Sequence, residues 1–197
     1  MVFLGPPGSG KGTQASRLAE HLGVVSISTG DMLRAAVAAG SQLGKRVEGI
    51  MASGALVGDD TMAEVVRERL AQPDASSGFI LDGYPRTAAQ AETLREILEH
   101  GGARLDHVLL LEVPEAELVA RMSGRARLEG RADDREDVVR ERLQVYRQST
   151  EPLIEHYRKA GLLRTIDGDR SIEEVAESLR AVFSLASASG RRDSEGS

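Results

Sequence analysis

"GPPGSGKGTQ", residues 5–14, follows a short apolar run, "VFL" (2–4), and leads into "KGTQASRLAEHLG" (11–23). In that last segment Ala15, Leu18, Ala19 and Leu22 recur at helical spacing, and Gly23 stands where a C-cap belongs. Strand, glycine turn and helix, in that order, build a phosphate-binding loop. Gly5, Gly8, Gly10 and Gly12 allow successive backbone N–H groups to turn toward an anion, the helix dipole favours negative charge there, and Lys11 supplies a point charge for β and γ phosphates. The general pattern G-x-x-x-x-G-K-[ST] carries a magnesium-binding hydroxyl directly after the lysine. Here that place is Gly12, and the hydroxyl comes one residue later, at Thr13. Such a loop fits a magnesium ion held by nucleotide oxygens and waters, with Thr13 free to meet a phosphate.

Working outward, "VVSIS" (24–28), "FILD" (79–82), "HVLLLEV" (107–113) and "LRTID" (163–167) read as further short buried strands with helices between them. The spacing predicts two short helices between Thr29 and Gly54 with a break at Gly40, and a helix in "DDTMAEVVRERLAQ" (59–72) opened by an aspartate cap. It also predicts a helix in "TAAQAETLREILEH" (87–100) capped by Thr87, one running to about Met122, and one starting near Arg135 that is kinked or restarted at Pro152. A last helix lies in "SIEEVAESLRAVFSLA" (171–186), and "SGRRDSEGS" (189–197) has no apolar content and is expected to be disordered. Five strands alternating with helices imply an α/β fold of the P-loop type, a five-stranded parallel sheet flanked by helices. Two segments, at about 28–57 and 121–134, interrupt that alternation and read as excursions from the core.

The bulk numbers narrow the function. The chain has 197 residues, enough for one well-buried core, and a net charge of −6 that disfavours nucleic acid and anionic membranes as partners. Three Phe, three Tyr and no Trp leave little for base stacking, and zero cysteines exclude disulfides and thiolate metal sites. No apolar run reaches about 18 residues, so a cytosolic location is expected.

Three more sites carry chemistry. An apolar strand ending in Asp82 suits a carboxylate that positions magnesium through water, although a turn cap would place an aspartate there too. Arg86 follows four residues later, near enough to the same strand end to reach phosphate. In "STGDMLR" (28–34), Ser28 or Thr29 reads as an N-cap and Arg34 as a solvated side chain, unless a ligand sits there. Arg121 and Arg125 are spaced i,i+4, and Arg131 and Arg142 are eleven apart, so Arg142 can lie beneath a group at the start of its helix. Several fixed cations suit phosphoryl transfer, whose transition state spreads charge over oxygens. Asp133 and Asp134 can cap the helix near Arg135 and can also pair with Arg125 or Arg131. The histidines show no ligand spacing.

With these sites assembled, the sequence resembles adenylate kinase over nearly its whole length. "GPPGSGKGTQ", "STGDMLR", "SGALV", "FILDGYPRT", "RMSGR", "GRADD" and "RLQVYRQSTEPL" follow that family's pattern in order. The resemblance implies reversible transfer of a phosphoryl group from MgATP to AMP, giving two ADP. It implies a core (1–27, 58–120 and 135–188), a helical AMP-binding arm (28–57) and a lid (121–134). Gly8, Ser9, Gly10, Lys11, Gly12 and Thr13 would bind the ATP phosphates. Thr29, Arg34, the Ala55, Leu56 and Val57 backbone, Gly83, Tyr84, Pro85, Arg86 and Gln90 would bind AMP. Arg121 and Arg125 would close over ATP, Arg131 and Arg142 would brace the phosphates, and Gly168 or Arg170 would meet the ATP base. Lys11 and these arginines, Arg86 included, would carry catalysis without a general base. Asp133 and Asp134 would support the lid, and Asp82 would hold magnesium through water. Four residues separate "GR" at 124–125 from "GR" at 130–131, so the lid is of the short form, without zinc. Tyr84 stands where the family more often has phenylalanine. The partners implied are ATP, AMP and ADP, with no nucleic acid or membrane, and a monomer. A UMP/CMP-type kinase is the alternative; Thr29 and Gln90 favour adenine over it.

Overall fold

A computed structural model of the chain describes residues 1–129 and 131–189. Its centre is β1, Val2–Leu4, whose side chains are at most 2% exposed. Burying three apolar side chains of that kind contributes about 1.5–3 kcal/mol each, which lets so short a strand hold the middle of the sheet. β2 (Val25–Ser28), β3 (Phe79–Asp82), β4 (Val108–Glu112) and β5 (Leu163–Asp167) complete it, in the order β2-β3-β1-β4-β5, and every pairing is parallel.

Side-chain alternation divides the core into two faces. Val2 and Leu4 join Leu81, Val108 and Leu110 on one face, together with Leu94 and Leu98 of α5 (Ala88–His100) and Leu153 and Tyr157 of α8 (Pro152–Lys159). Phe3 joins Ile80, Leu109 and Leu111 on the other, under Ala15 and Leu18 of α1 (Lys11–Leu22) and Val175 and Leu179 of α9 (Ile172–Ser189). A third, small cluster of Leu118, Met122, Val139 and Leu143 joins α6 (Glu115–Glu129) to α7 (Glu136–Val145). Between β2 and β3 lie α2 (Thr29–Ala38), α3 (Gln42–Ser53) and α4 (Asp59–Leu70), of which Leu33, Val47, Met62 and Val66 join the first face of the core. No described helix is long and apolar enough to cross a membrane.

Four local expectations change. The helix expected to stop near Met122 continues to Glu129. Its second half, "SGRARLE", is rich in good helix formers, and the single Gly124 costs only about 1 kcal/mol. Asp59 is not the cap of α4: Gly58 holds that position without a side-chain bond, and Asp59 is the first helical residue. Nor do Asp133 and Asp134 cap α7, whose N-cap is Arg135. The helix after Arg135 does restart at Pro152, but it loosens earlier, through a π-helical turn at Tyr146–Thr150 closed by Glu151 N–H to the Tyr146 carbonyl at 2.9 Å. Pro152 has no N–H to give and its ring crowds the preceding turn, which widens in response. Of the expected disordered tail, Ser189 ends α9 and residues 190–197 lie outside those described.

Tyr84 is turned into the core at 1% exposure, and its hydroxyl has no hydrogen-bond partner among the described residues. Burial, with the negative charge of Asp59, pushes its pKa up to about 12. A buried hydroxyl without a partner costs about 1–3 kcal/mol. Tyr84→Phe should therefore leave stability unchanged or raise it by about 1 kcal/mol, read from urea unfolding; a loss of that size would mean the hydroxyl is bonded.

Candidate active site

Strand register assembles the site. In the parallel ladder Phe3 pairs with Asp82, and Ser28 pairs with the same Asp82 from the other side. The glycine loop after β1, the carboxylate at the end of β3 and the start of α2 therefore meet at one edge of the sheet. This is the C-terminal edge, beside the strand where the order reverses direction, the usual ligand position in such sheets.

The loop delivers α1 with a bare N-terminus. Its N-cap, Gly10, has φ 89° and offers no side-chain bond, so the first N–H groups of α1 remain for an anion. At Gly8 (φ +86°) a Cβ would lie 2.9 Å from the Leu118 carbonyl and 3.0 Å from Met122, so the loop can seat on α6 only as glycine. Gly12 differs from the other loop glycines: it lies within α1 without a positive φ, facing Asp82. The Lys11 ammonium folds back onto the loop, donating to the Gly5 carbonyl at 2.8 Å, the Pro6 carbonyl at 2.9 Å and the buried Ser9 hydroxyl at 3.4 Å. Burial lowers its pKa to about 8; Asp82 opposes that shift, and Arg86, Arg142 and Arg125 reinforce it.

A cleft of about 430 Å³ opens over this loop. Of the residues expected from sequence, Gly8, Gly10, Lys11, Gly12, Thr13 and Asp82 line its floor, and Pro85, Arg125 and Arg131 also border it. A smaller pocket of about 60 Å³ continues from it, lined by Thr29, Ala55, Val57, Gln90 and Asp133. Arg34, Leu56, Gly83, Arg86 and Arg142 border both spaces. Ser9, Tyr84, Arg121, Asp134, Gly168 and Arg170 line neither. Arg121 donates to Glu117 at 2.7 Å and to the Gly168 carbonyl at 3.0 Å, and Arg170 pairs with Asp167 at 2.8 Å.

The cations are held unequally. Arg125 makes a two-pronged contact with Asp134 at 2.6 and 2.7 Å, and Arg142 reaches Asp134 at 2.7 Å and Asp133 at 2.9 Å. Asp133 also lies 3.7 Å from Arg34, which bonds Asp31 at 2.5 Å, while Arg131 pairs with Glu129 at 2.5 Å. Burial pushes the Asp134 carboxyl up, but the hydrogen bonds and charge of Arg125, with the charges of Arg142 and Arg131, hold it below the usual range. Arg86 stands apart: it donates to the Gly83 carbonyl at 2.8 Å and has no carboxylate within ion-pair distance among the described residues. Burial and the charge of Arg142 push its pKa down. An anion reaching this cleft therefore meets one unneutralised arginine beside a desolvated lysine.

Asp82 sets the character of the floor. Its Oδ1 is buried without a partner among the described residues, and Thr29 donates to its backbone carbonyl at 3.2 Å. A carboxylate oxygen left in that condition beside the uncapped N-terminus of α1 fits a hydrated divalent cation. Sequence reading gave Thr150 no role, although it donates to the Arg86 carbonyl at 3.0 Å from the π-helical turn. The contact spans 64 residues, and only the proline two places on hinted at a break there.

A family model described as Adenylate kinase matches residues 3–162. Relatives named adenylate kinase include one from Thermus thermophilus, 52% identical over 94% of this chain and 97% of its own. One from Thermobifida fusca is 50% identical over 95% and 98%, and one from Archaeoglobus fulgidus 46% identical over 93% and 97%.

The lowered Lys11 pKa has a measurable consequence. A polyphosphate against the ammonium favours its charged form, moving the pKa from about 8 toward the ordinary lysine value of roughly 10.4. Binding at pH 9 should therefore take up protons, seen by calorimetry in buffers of different ionisation enthalpy, and Lys11→Met should abolish the uptake. Without ligand, the unfolded chain holds this proton more tightly than the fold does, so stability should rise with pH across the same window.

Proposed function

The chain belongs to the adenylate kinase family, and from that premise we propose how its own residues share the transfer of a phosphoryl group from ATP to AMP. The protein is an enzyme, a nucleotide-binding transferase that converts ATP and AMP into two ADP. A UMP/CMP-type activity is not favoured, since relatives at about half identity over nearly the full length carry the adenylate kinase name.

The observation that carries the division of roles is the pair of connected spaces sharing Arg86 and Arg142 as a common wall. ATP phosphates lie in the larger cleft, on the α1 N-terminus, with Lys11 against the β and γ groups. AMP occupies the smaller pocket, its base at Gln90 and its phosphate at Arg86 and Arg34. The acceptor oxygen and the transferred group then meet between Lys11, Arg86 and Arg142. AMP brings an oxygen that is already anionic, so no general base is required, and orientation with charge neutralisation supplies the rate. Magnesium, held through water by Asp82, would neutralise the β and γ phosphates when bound with ATP.

Residues 28–57 act as the AMP arm and 121–134 as a short lid. The lid is braced by Asp134 between Arg125 and Arg142, and with no cysteine in the chain we propose that it works without zinc. Arg121, held at the Gly168 carbonyl, links the lid helix to the loop proposed for the ATP base. Closure excludes water, which would otherwise accept the phosphoryl group. The finer reading is of a cytoplasmic monomer that uses ATP, AMP and ADP and takes neither nucleic acid nor membrane as partner, in keeping with a net charge of −6.

A coupled assay of ADP formation should show magnesium-dependent turnover with kcat/KM for AMP far above that for CMP or UMP; a preference for CMP would overturn the assignment. Arg86→Ala should lower kcat/KM by about 10²- to 10³-fold with the circular dichroism melt retained. Near-normal turnover would remove Arg86 from the site.

A further inference from the structure

Asp59 is the first residue of α4, one residue beyond the Ala55–Val57 segment, and its carboxylate is turned to the N-terminus of α5. Its Oδ1 accepts from Gln90 Nε2 at 2.8 Å, and its Oδ2 accepts from the Thr87 hydroxyl at 3.1 Å. Thr87 in turn caps α5 by accepting from the Gln90 backbone N–H at 3.1 Å. On its other side the Gln90 amide accepts, through Oε1, from the backbone N–H of Arg86 at 2.8 Å. Gln90 is 2% exposed, so its only free directions lead into the smaller pocket.

The two contacts leave a single orientation for the amide. A carboxylate only accepts, so the end facing Asp59 must be NH₂; a backbone N–H only donates, so the end facing Arg86 must be oxygen. After these bonds Gln90 retains one N–H and one oxygen lone pair for a ligand. That pair matches a 6-amino purine, whose N1 accepts and whose amino group donates. A 6-oxo purine, with a donating N1–H and an accepting oxygen, presents the reverse and would require the amide to flip. We infer that Asp59 is a positioning residue that locks the Gln90 amide and thereby makes the acceptor pocket select 6-amino over 6-oxo bases. The inference rests on the proposed placement of the AMP base at Gln90.

AMP and inosine monophosphate differ only in this edge, so the ratio of their kcat/KM values reads the lock and cancels any loss of active enzyme. In Asp59→Ala that ratio should fall about tenfold, mainly through a higher KM for AMP, with kcat at saturating AMP within about threefold. Asp59→Asn, which retains one acceptor oxygen and the side-chain volume, should fall between the wild type and Asp59→Ala. The AMP to CMP ratio should move less than about twofold, because cytosine carries the same amino edge as adenine. An unchanged AMP to inosine monophosphate ratio in both Asp59 variants, alongside a collapsed ratio in Gln90→Ala, overturns the inference and keeps the pocket. If Gln90→Ala also leaves the ratio unchanged, the AMP reading of the pocket falls with it. Equal movement of both ratios in Asp59→Ala reduces Asp59 to a structural role and likewise overturns the proposal.

Discussion

Parallel pairing of Asp82 with Phe3 on one side and with Ser28 on the other is the contact on which the site depends. In a parallel sheet all strands end at the same edge, so fixing this register brings three chain segments to one place without further adjustment. The glycine loop, the β3 carboxylate and the start of α2 are separated by tens of residues, yet each lies at or just beyond the end of a paired strand. The loop then packs on α6 at Gly8, which ties that helix to the same edge.

Collecting so many cations around one cleft has an electrostatic cost, and the structure meets it selectively. Asp134, only 3% exposed, takes the charges of Arg125 and Arg142, while Asp133 and Asp31 share Arg34. Among the described residues Lys11 and Arg86 receive backbone and hydroxyl oxygens but no paired carboxylate, and both have lowered pKa values because burial disfavours their charge. Of the three cations around the proposed transfer, Lys11 and Arg86 are therefore the ones whose charge is least satisfied, while Arg142 is already paired with Asp133 and Asp134. Buried ion pairs of the Asp134 kind are weak sources of stability. Here their value is geometric, because they fix two long side chains whose free motion would blur the site.

The local elements were readable wherever a signal lay within a few residues. Gly23 closes α1, Thr87 caps α5 and the helix restarts at Pro152, each through contacts of short sequence span. Three aspartates share a feature. Asp59, Asp133 and Asp134 all stand where a helix cap would stand, and for Asp133 and Asp134 pairing with Arg125 or Arg131 is the other expectation. Each instead bonds a group elsewhere in the fold: Asp59 reaches Gln90, Asp133 reaches Arg142, and Asp134 reaches Arg125 and Arg142. A carboxylate satisfied by a distant amide or guanidinium leaves the backbone N–H groups beside it to other partners, and no spacing rule distinguishes the two cases.

By itself the sequence determined the chemistry of the loop, the parallel α/β architecture and the family. The loop chemistry and the architecture follow from glycine φ angles, the Lys11 charge and short apolar runs, which act over distances of one turn or one strand, and the family from the resemblance of its ordered motifs. The tertiary structure alone decided which aspartate neutralises which arginine, that Arg86 is left without a carboxylate among the described residues, and which way the Gln90 amide faces. Those depend on side chains meeting across α4, α5, α6 and α7 at hydrogen-bond distance. Coulombic and hydrogen-bond energies change over ångströms, and helix packing, not residue spacing, sets distances that fine.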